Sequence, residues 1–116
     1  MFLRANERKV DKKENLRGGD GTIVMGSFLP EEKLLHTRLI SKIEVAPGCS
    51  IGGHAHEGEY EAYYFLEGEM TLDDNGVKVT AKPGDFSICM DGENHGVRND
   101  TDKPASLLAF IVTKAE

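Results

Sequence analysis

The sequence predicts an all-β domain of the sandwich or barrel class. Short apolar runs recur along most of the chain, separated by glycine- or proline-bearing turns at roughly 8–12-residue spacing. Thirteen of the 116 residues are glycine, which suits many tight turns. No segment carries the 3.6-residue apolar stripe of a long amphipathic helix.

Residues 1–15 are charged and lack sustained periodicity. They read as an arm or a short strand that depends on other parts of the structure. Arg17–Gly21, RGGDG, is a turn by composition, and Thr22–Leu29, TIVMGSFL, reads as a strand. The chain therefore divides into an N-terminal arm, residues 1–21, and one barrel domain, residues 22–116. Pro30–Leu35, PEEKLL, could open a helical turn, because proline suits the first helical position and acids follow it.

In Thr37–Val45, Leu39, Ser41, Ile43 and Val45 alternate with Arg38, Ile40, Lys42 and Glu44, a half-buried strand pattern ended by APG. The run EAYYFL from Glu61 forms a strand broken at Gly68; a short strand and the hairpin signal DDNG follow. Val77 and Val79 share a face before the turn at Pro83 and Gly84. Phe86, Ile88 and Met90 lie on one side of the next strand, and His95, Val97 and Asn99 on one side of another. ASLLAFIVT closes the chain as a long apolar strand. This pattern places Tyr63, Phe65, Phe86, Ile88, Met90 and Val97 on the barrel interior. That is first a packing statement, and those nearest a site would shape its pocket.

The formal net charge of −6 opposes a nucleic-acid-binding role, which needs a basic face. The N-terminal segment alternates charges and has no apolar run fit for a signal or a membrane span. Cys49 and Cys89 form no CxxC pair, and they read as reduced thiols in a cytoplasmic protein. A free N-terminal strand could add to a partner's sheet edge, so a homodimer is expected.

The chemistry concentrates in GGHAHEGEYEAYYFLEG, residues 52–68. Residues two apart in a strand project to one face, so His54 and His56 point together if GHAH is extended. Glu61 begins the next strand and shares its inward set with Tyr63 and Phe65. His95 comes later, at the start of another strand. Taken alone, an HxH pair among acids fits a polar loop as well as a ligand set. As ligands, three imidazoles and one carboxylate suit Mn²⁺, Fe²⁺, Co²⁺, Ni²⁺, Cu²⁺ or Zn²⁺ and would leave coordination positions open. Glu57 and Glu59 fall in the intervening loop and read as solvated, with gating of the mouth as an alternative. His36 lies outside this constellation, as a surface or core-edge residue.

Gly48, His54, His56, Glu61 and Gly68 fit the spacing G-x5-H-x-H-x4-E-x6-G, and Gly84, Gly92, His95 and Asn99 fit G-x5-P-x-G-x2-H-x3-N with Met90 in the proline position. These are the two motifs of the cupin superfamily, and the sequence resembles a small single-domain cupin. The resemblance implies a jelly-roll β-barrel, or double-stranded β-helix, with one metal ion inside its mouth. Carried over position by position, it implies His54, His56, Glu61 and His95 as the metal ligands. Met90 departs from the pattern at the turn before His95; it would fill the core or bring a thioether near the pocket. The resemblance further implies a metalloenzyme acting on a small carboxylate- or carbonyl-bearing substrate, dioxygenase- or decarboxylase-like, or else a small-ligand-binding or sensor module that does not turn its ligand over.

Overall fold

The computed structural model describes residues 1–115. Ten strands are present among them: β1 (Lys9–Glu14), β2 (Thr22–Ser27), β3 (Thr37–Val45), β4 (Ser50–Ala55), β5 (Glu59–Glu67), β6 (Met70–Asp74), β7 (Val77–Ala81), β8 (Phe86–Cys89), β9 (Asn94–Arg98) and β10 (Ala105–Thr113). A six-stranded sheet runs β1-β2-β3-β10-β5-β8 and a four-stranded sheet β4-β9-β6-β7. All of the strand pairs are antiparallel. This is a jelly roll, two sheets enclosing one interior. Glu116, the last residue of the expected barrel, lies outside the described residues.

Side-chain alternation sets the interior. On β3, Ser41, Ile43 and Val45 are buried, and on β10 Ala105, Leu107, Ala109 and Ile111 face them. Tyr63 and Phe65 of β5 complete the large-sheet side, against Ile51, Leu72 and Val97 of the small sheet. Tyr63 has small neighbours on both adjacent strands, Ala109 on β10 and Ser87 on β8. Its ring occupies the volume that those side chains leave free.

One break in alternation positions the site. Between Ile51↔Val97 and His54↔His95, β4 carries two residues, Gly52 and Gly53, against the single Gly96 of β9. This β-bulge shifts the parity of the strand. Strict alternation from Ile51 would turn His54 and His56 outward; with the bulge, Ile51 and both histidines share the interior. The bulge leaves no room for side chains. A Cβ on Gly52 would lie 2.0 Å from the Arg17 carbonyl oxygen, and one on Gly19 would lie 2.3 Å from that of Ser50.

The N-terminal residues are part of this packing. β1 pairs with β2 of its own chain, Leu16 packs against the core, and the Asp20 N–H donates to Ser50 Oγ at 2.8 Å. The expected arm thus folds back as the edge of the large sheet, and its three lysines disfavour further strand addition. Pro30–Leu35 forms bends and a turn with no helix. So short a segment gains too few hydrogen bonds to offset helix nucleation.

Three residues expected inside lie outside. Phe86, Ile88 and Met90 are 58%, 43% and 45% exposed. The inward residues of β8 are Ser87 and Cys89, set beside Tyr63 and Glu61 of β5. Because those two large side chains fill the interior, the strand turns its small residues inward. Its apolar side joins exposed Tyr64 and Leu66 on the outer face of the large sheet.

The bulge makes a direct prediction. Gly52→Ala drives a methyl group into backbone and destabilises the fold by about 1–3 kcal/mol. Gly53→Ala meets nothing within 4 Å and changes stability by less than about 0.5 kcal/mol. Chemical denaturation of both variants checks this, and equal losses would contradict the packing described.

Candidate metal centre

Three strands deliver four side chains to one point. β4 and the residue after it supply His54 and His56, β9 supplies His95 opposite His54, and β5 supplies Glu61 between Cys89 and Ile111. Glu61 Oε1 lies 2.9 Å from His56 Nε2, 2.9 Å from His95 Nε2 and 3.5 Å from His54 Nε2. The His95 Nε2 is 3.1 Å from that of His54 and 3.2 Å from that of His56. Adjacent ligand atoms around an ion bound at about 2.1 Å sit about 3 Å apart, so this donor set fits a first-row divalent metal. The cluster could hold a metal ion.

Each imidazole is oriented from its far side. His54 Nδ1–H donates to the Gly52 carbonyl at 2.8 Å, and His56 Nδ1–H to Glu59 Oε2 at 2.6 Å. Donation from Nδ1 leaves Nε2 as the metal-facing lone pair. His95 is held differently: its ring stacks on Tyr63, with centroids 4.6 Å apart and planes 13° from parallel. Burial alone would raise Glu61, but hydrogen bonds from His54, His56 and His95 hold it far below the usual carboxylate range. The same contact with Glu61, aided by Glu59, raises His56 above its ordinary 6.5 against the effect of burial. Protons and a metal ion therefore compete for one set of lone pairs.

Glu59 is the site residue that sequence reasoning placed in solvent. Its side chain is 13% exposed and joins the centre to the β3 strand. Arg38 donates to it through Nε at 3.0 Å and Nη2 at 2.7 Å. The Arg38 hydrogen bond is the main reason that Glu59 lies below its ordinary range. Arg38–Glu59–His56 is thus a chain that fixes one ligand ring. Its signal in the sequence would have been Arg38, 21 residues upstream, which only the folded register brings alongside. Glu57 stays exposed, and His36 bonds the Thr113 carbonyl away from the cluster.

The cluster opens onto a cavity of about 200 Å³ whose lining includes His54, His56, Glu61 and Tyr63, the aliphatic Leu39 and Ile43, and the cations Lys13, Arg17 and Arg38. Of the six residues expected to line a pocket, Tyr63 does so. Phe65 and Val97 are buried in the core, and Phe86, Ile88 and Met90 lie on the outer face. Cys49 and Cys89 are both free thiols. Cys89 faces inward beside Glu61, where burial, with Glu93, Glu61 and Asp74 nearby, pushes its thiol up to about 11. It stays protonated at neutral pH.

Two outcomes of one metal titration follow. Glu59→Ala leaves the fold intact and weakens metal affinity about 10–100-fold by freeing the His56 ring. Protonation of His56 begins above its ordinary value of 6.5, so affinity falls as the pH is lowered toward 6.5. Affinity unchanged by the substitution, or flat over that interval, would contradict the geometry.

Comparison with known proteins places this centre in a family. The Cupin domain model matches residues 41–111, which include all four residues of the cluster. The chain is 37% identical over 113 residues to the "oxalate-binding protein" of Thermotoga maritima, covering 97% of this chain and 93% of that protein. Among solved structures it is similar to a predicted oxalate decarboxylase from Thermotoga maritima, with a TM-score of 0.92, 37% identity, and 97% and 99% of the two chains covered. A sugar phosphate isomerase of the cupin superfamily from Silicibacter pomeroyi matches with a TM-score of 0.82 over 97% of this chain and 75% of that one; at 20% identity it shows the fold alone. The two motifs, the jelly roll and the matched family model agree: this chain belongs to the cupin family.

Proposed function

We propose that the protein binds one divalent transition-metal ion through His54, His56, Glu61 and His95 and uses it to take a small carboxylate of the oxalate class. The observation that carries this reading is the convergence of four ligands at the end of a cavity that also holds Lys13, Arg17 and Arg38. A bound ion supplies Lewis-acid polarisation and exchangeable positions for carboxylate oxygens. The chain's own residues set the charge of the cavity, exclude water with Leu39 and Ile43, and orient the ligand rings through Glu59, Gly52 and Tyr63. Mn²⁺, Fe²⁺, Co²⁺, Ni²⁺, Cu²⁺ and Zn²⁺ all suit the donor set. The oxalate-binding name of the relative supports the ligand class.

Turnover, as a decarboxylase or a dioxygenase, is the second reading, supported by the similarity to a predicted oxalate decarboxylase. Loss of CO₂ from oxalate requires a proton at the remaining carbon. Among the described residues the cavity lining holds one carboxylate, Glu61, which is itself in the ligand set. A proton for that step would come from Lys13 or the Tyr63 phenol of the same lining. Two reduced thiols support a cytoplasmic location. No helix among the described residues is long and apolar enough to cross a membrane.

The homodimer also belongs to this proposal, by a different surface from the arm. Phe86, Ile88, Tyr64 and Leu66 form an exposed apolar patch on the outer face of the large sheet, suited to an isologous contact with a second copy.

Calorimetric titration of the metal-loaded protein with oxalate, with CO₂ followed in parallel, tests the site. Saturable binding that His56→Ala or His95→Ala abolishes is expected. No binding by loaded wild type overturns the reading, and stoichiometric CO₂ release replaces it with the enzyme. Light scattering tests the assembly: twice the 12.7 kDa chain mass is expected, falling to one chain in the Phe86→Asp/Ile88→Asp variant. A monomeric wild type would contradict the dimer.

A further inference from the structure

We propose that Arg17 is the residue that selects a dicarboxylate, its guanidinium taking the ligand oxygens turned away from the metal cluster. The inference rests on the reading of this cavity as a carboxylate site. It starts from the three cations in the lining. Arg38 is committed to Glu59 by two hydrogen bonds, at 3.0 and 2.7 Å. Lys13 lies 3.4 Å from Asp11. For Arg17, no ion pair or hydrogen bond of the guanidinium is found among the described residues. Its planar fork matches a carboxylate in two-point contact, which a lysine cannot reproduce.

The backbone supplies an independent observation. Arg17 adopts φ 55° and ψ 31°, a left-handed conformation unfavourable to a residue with a Cβ. Glycine or asparagine would relieve the strain at no cost to the turn. An arginine in this conformation points to a use for its side chain. The turn itself is fixed in place. The Arg17 carbonyl sits over Gly52 and Gly19 sits over Ser50, each so close that a Cβ could not fit. Asp20 N–H bonds Ser50 Oγ beside them. The side chain is thereby anchored beside the bulge that carries His54 and His56.

Arg17 lines the same cavity as His54, His56, Glu61 and Tyr63. An ion at the cluster would neutralise Glu61, leaving Arg17 at the exposed rim of the lining as a positive charge available to a bound anion. Oxalate bound at the cluster presents carboxylate oxygens toward this charge; acetate presents a methyl group there.

Arg17→Asn tests the inference, because asparagine tolerates the left-handed backbone. In the metal-loaded protein, oxalate affinity measured by calorimetry is expected to fall about 10-fold or more, the loss of a charge-assisted contact. Acetate affinity and metal content stay as in wild type, and the thermal midpoint does not fall. Unchanged oxalate affinity, equal losses for oxalate and acetate, or loss of metal would each overturn the role of Arg17 while leaving the site reading in place. Absence of oxalate binding in loaded wild type would overturn both. Should Arg17→Asn fail to fold, Arg17→Lys keeps the charge without the fork, and a smaller loss confined to oxalate is expected.

Discussion

Alternation along β4 is broken once, at Gly52 and Gly53, and the contents of the barrel follow from that break. Ile51 before it belongs to the core; His54 and His56 after it face the same interior. Without the extra residue, either the core would lose Ile51 or the centre would lose two imidazoles. The bulge is also where the N-terminal turn docks, because Gly52 admits the Arg17 carbonyl at a distance that no side chain would allow. One local irregularity thus orients two candidate ligands and seats the turn that carries Arg17.

The centre that results is electrostatically demanding. His56, Glu61 and His95 are 2%, 5% and 3% exposed. Burying a carboxylate is unfavourable unless it is paired, and here its partners are three imidazoles. A divalent ion would satisfy all four groups at once. Farther out, the organisation is ordinary protein chemistry: a carbonyl behind His54, a carboxylate–arginine pair behind His56, a tyrosine ring against His95. Each support fixes the orientation of one ring.

Much of this is legible from residue spacing. His54 and His56 two apart in an extended run, Glu61 heading an aromatic strand, and His95 in the second motif are the four residues the fold assembles. The bulge was not legible, yet it lies before the histidines and leaves their mutual spacing intact. Asn99, read as a motif position, is fully buried and bonds the Val45 and Lys103 carbonyls at 2.8 and 2.7 Å, so its role is to close the β9–β10 turn. Period-two reasoning failed on β8, where it sent Phe86, Ile88 and Met90 inward. Alternation tells which residues share a face but not which face is inside, and the neighbouring Tyr63 and Glu61 decided that. Glu59 was missed for another reason: the Arg38 that holds it lies 21 residues upstream and is adjacent only in the folded chain.

The most direct measurement is anomalous diffraction from crystals of the metal-loaded protein, collected on both sides of the absorption edge of the loaded metal. A single anomalous peak per chain, within coordination distance of the Nε2 atoms of His54, His56 and His95 and of a Glu61 oxygen, is the result this account predicts. A peak elsewhere, or none in crystals of protein shown to carry one equivalent of metal, would contradict it.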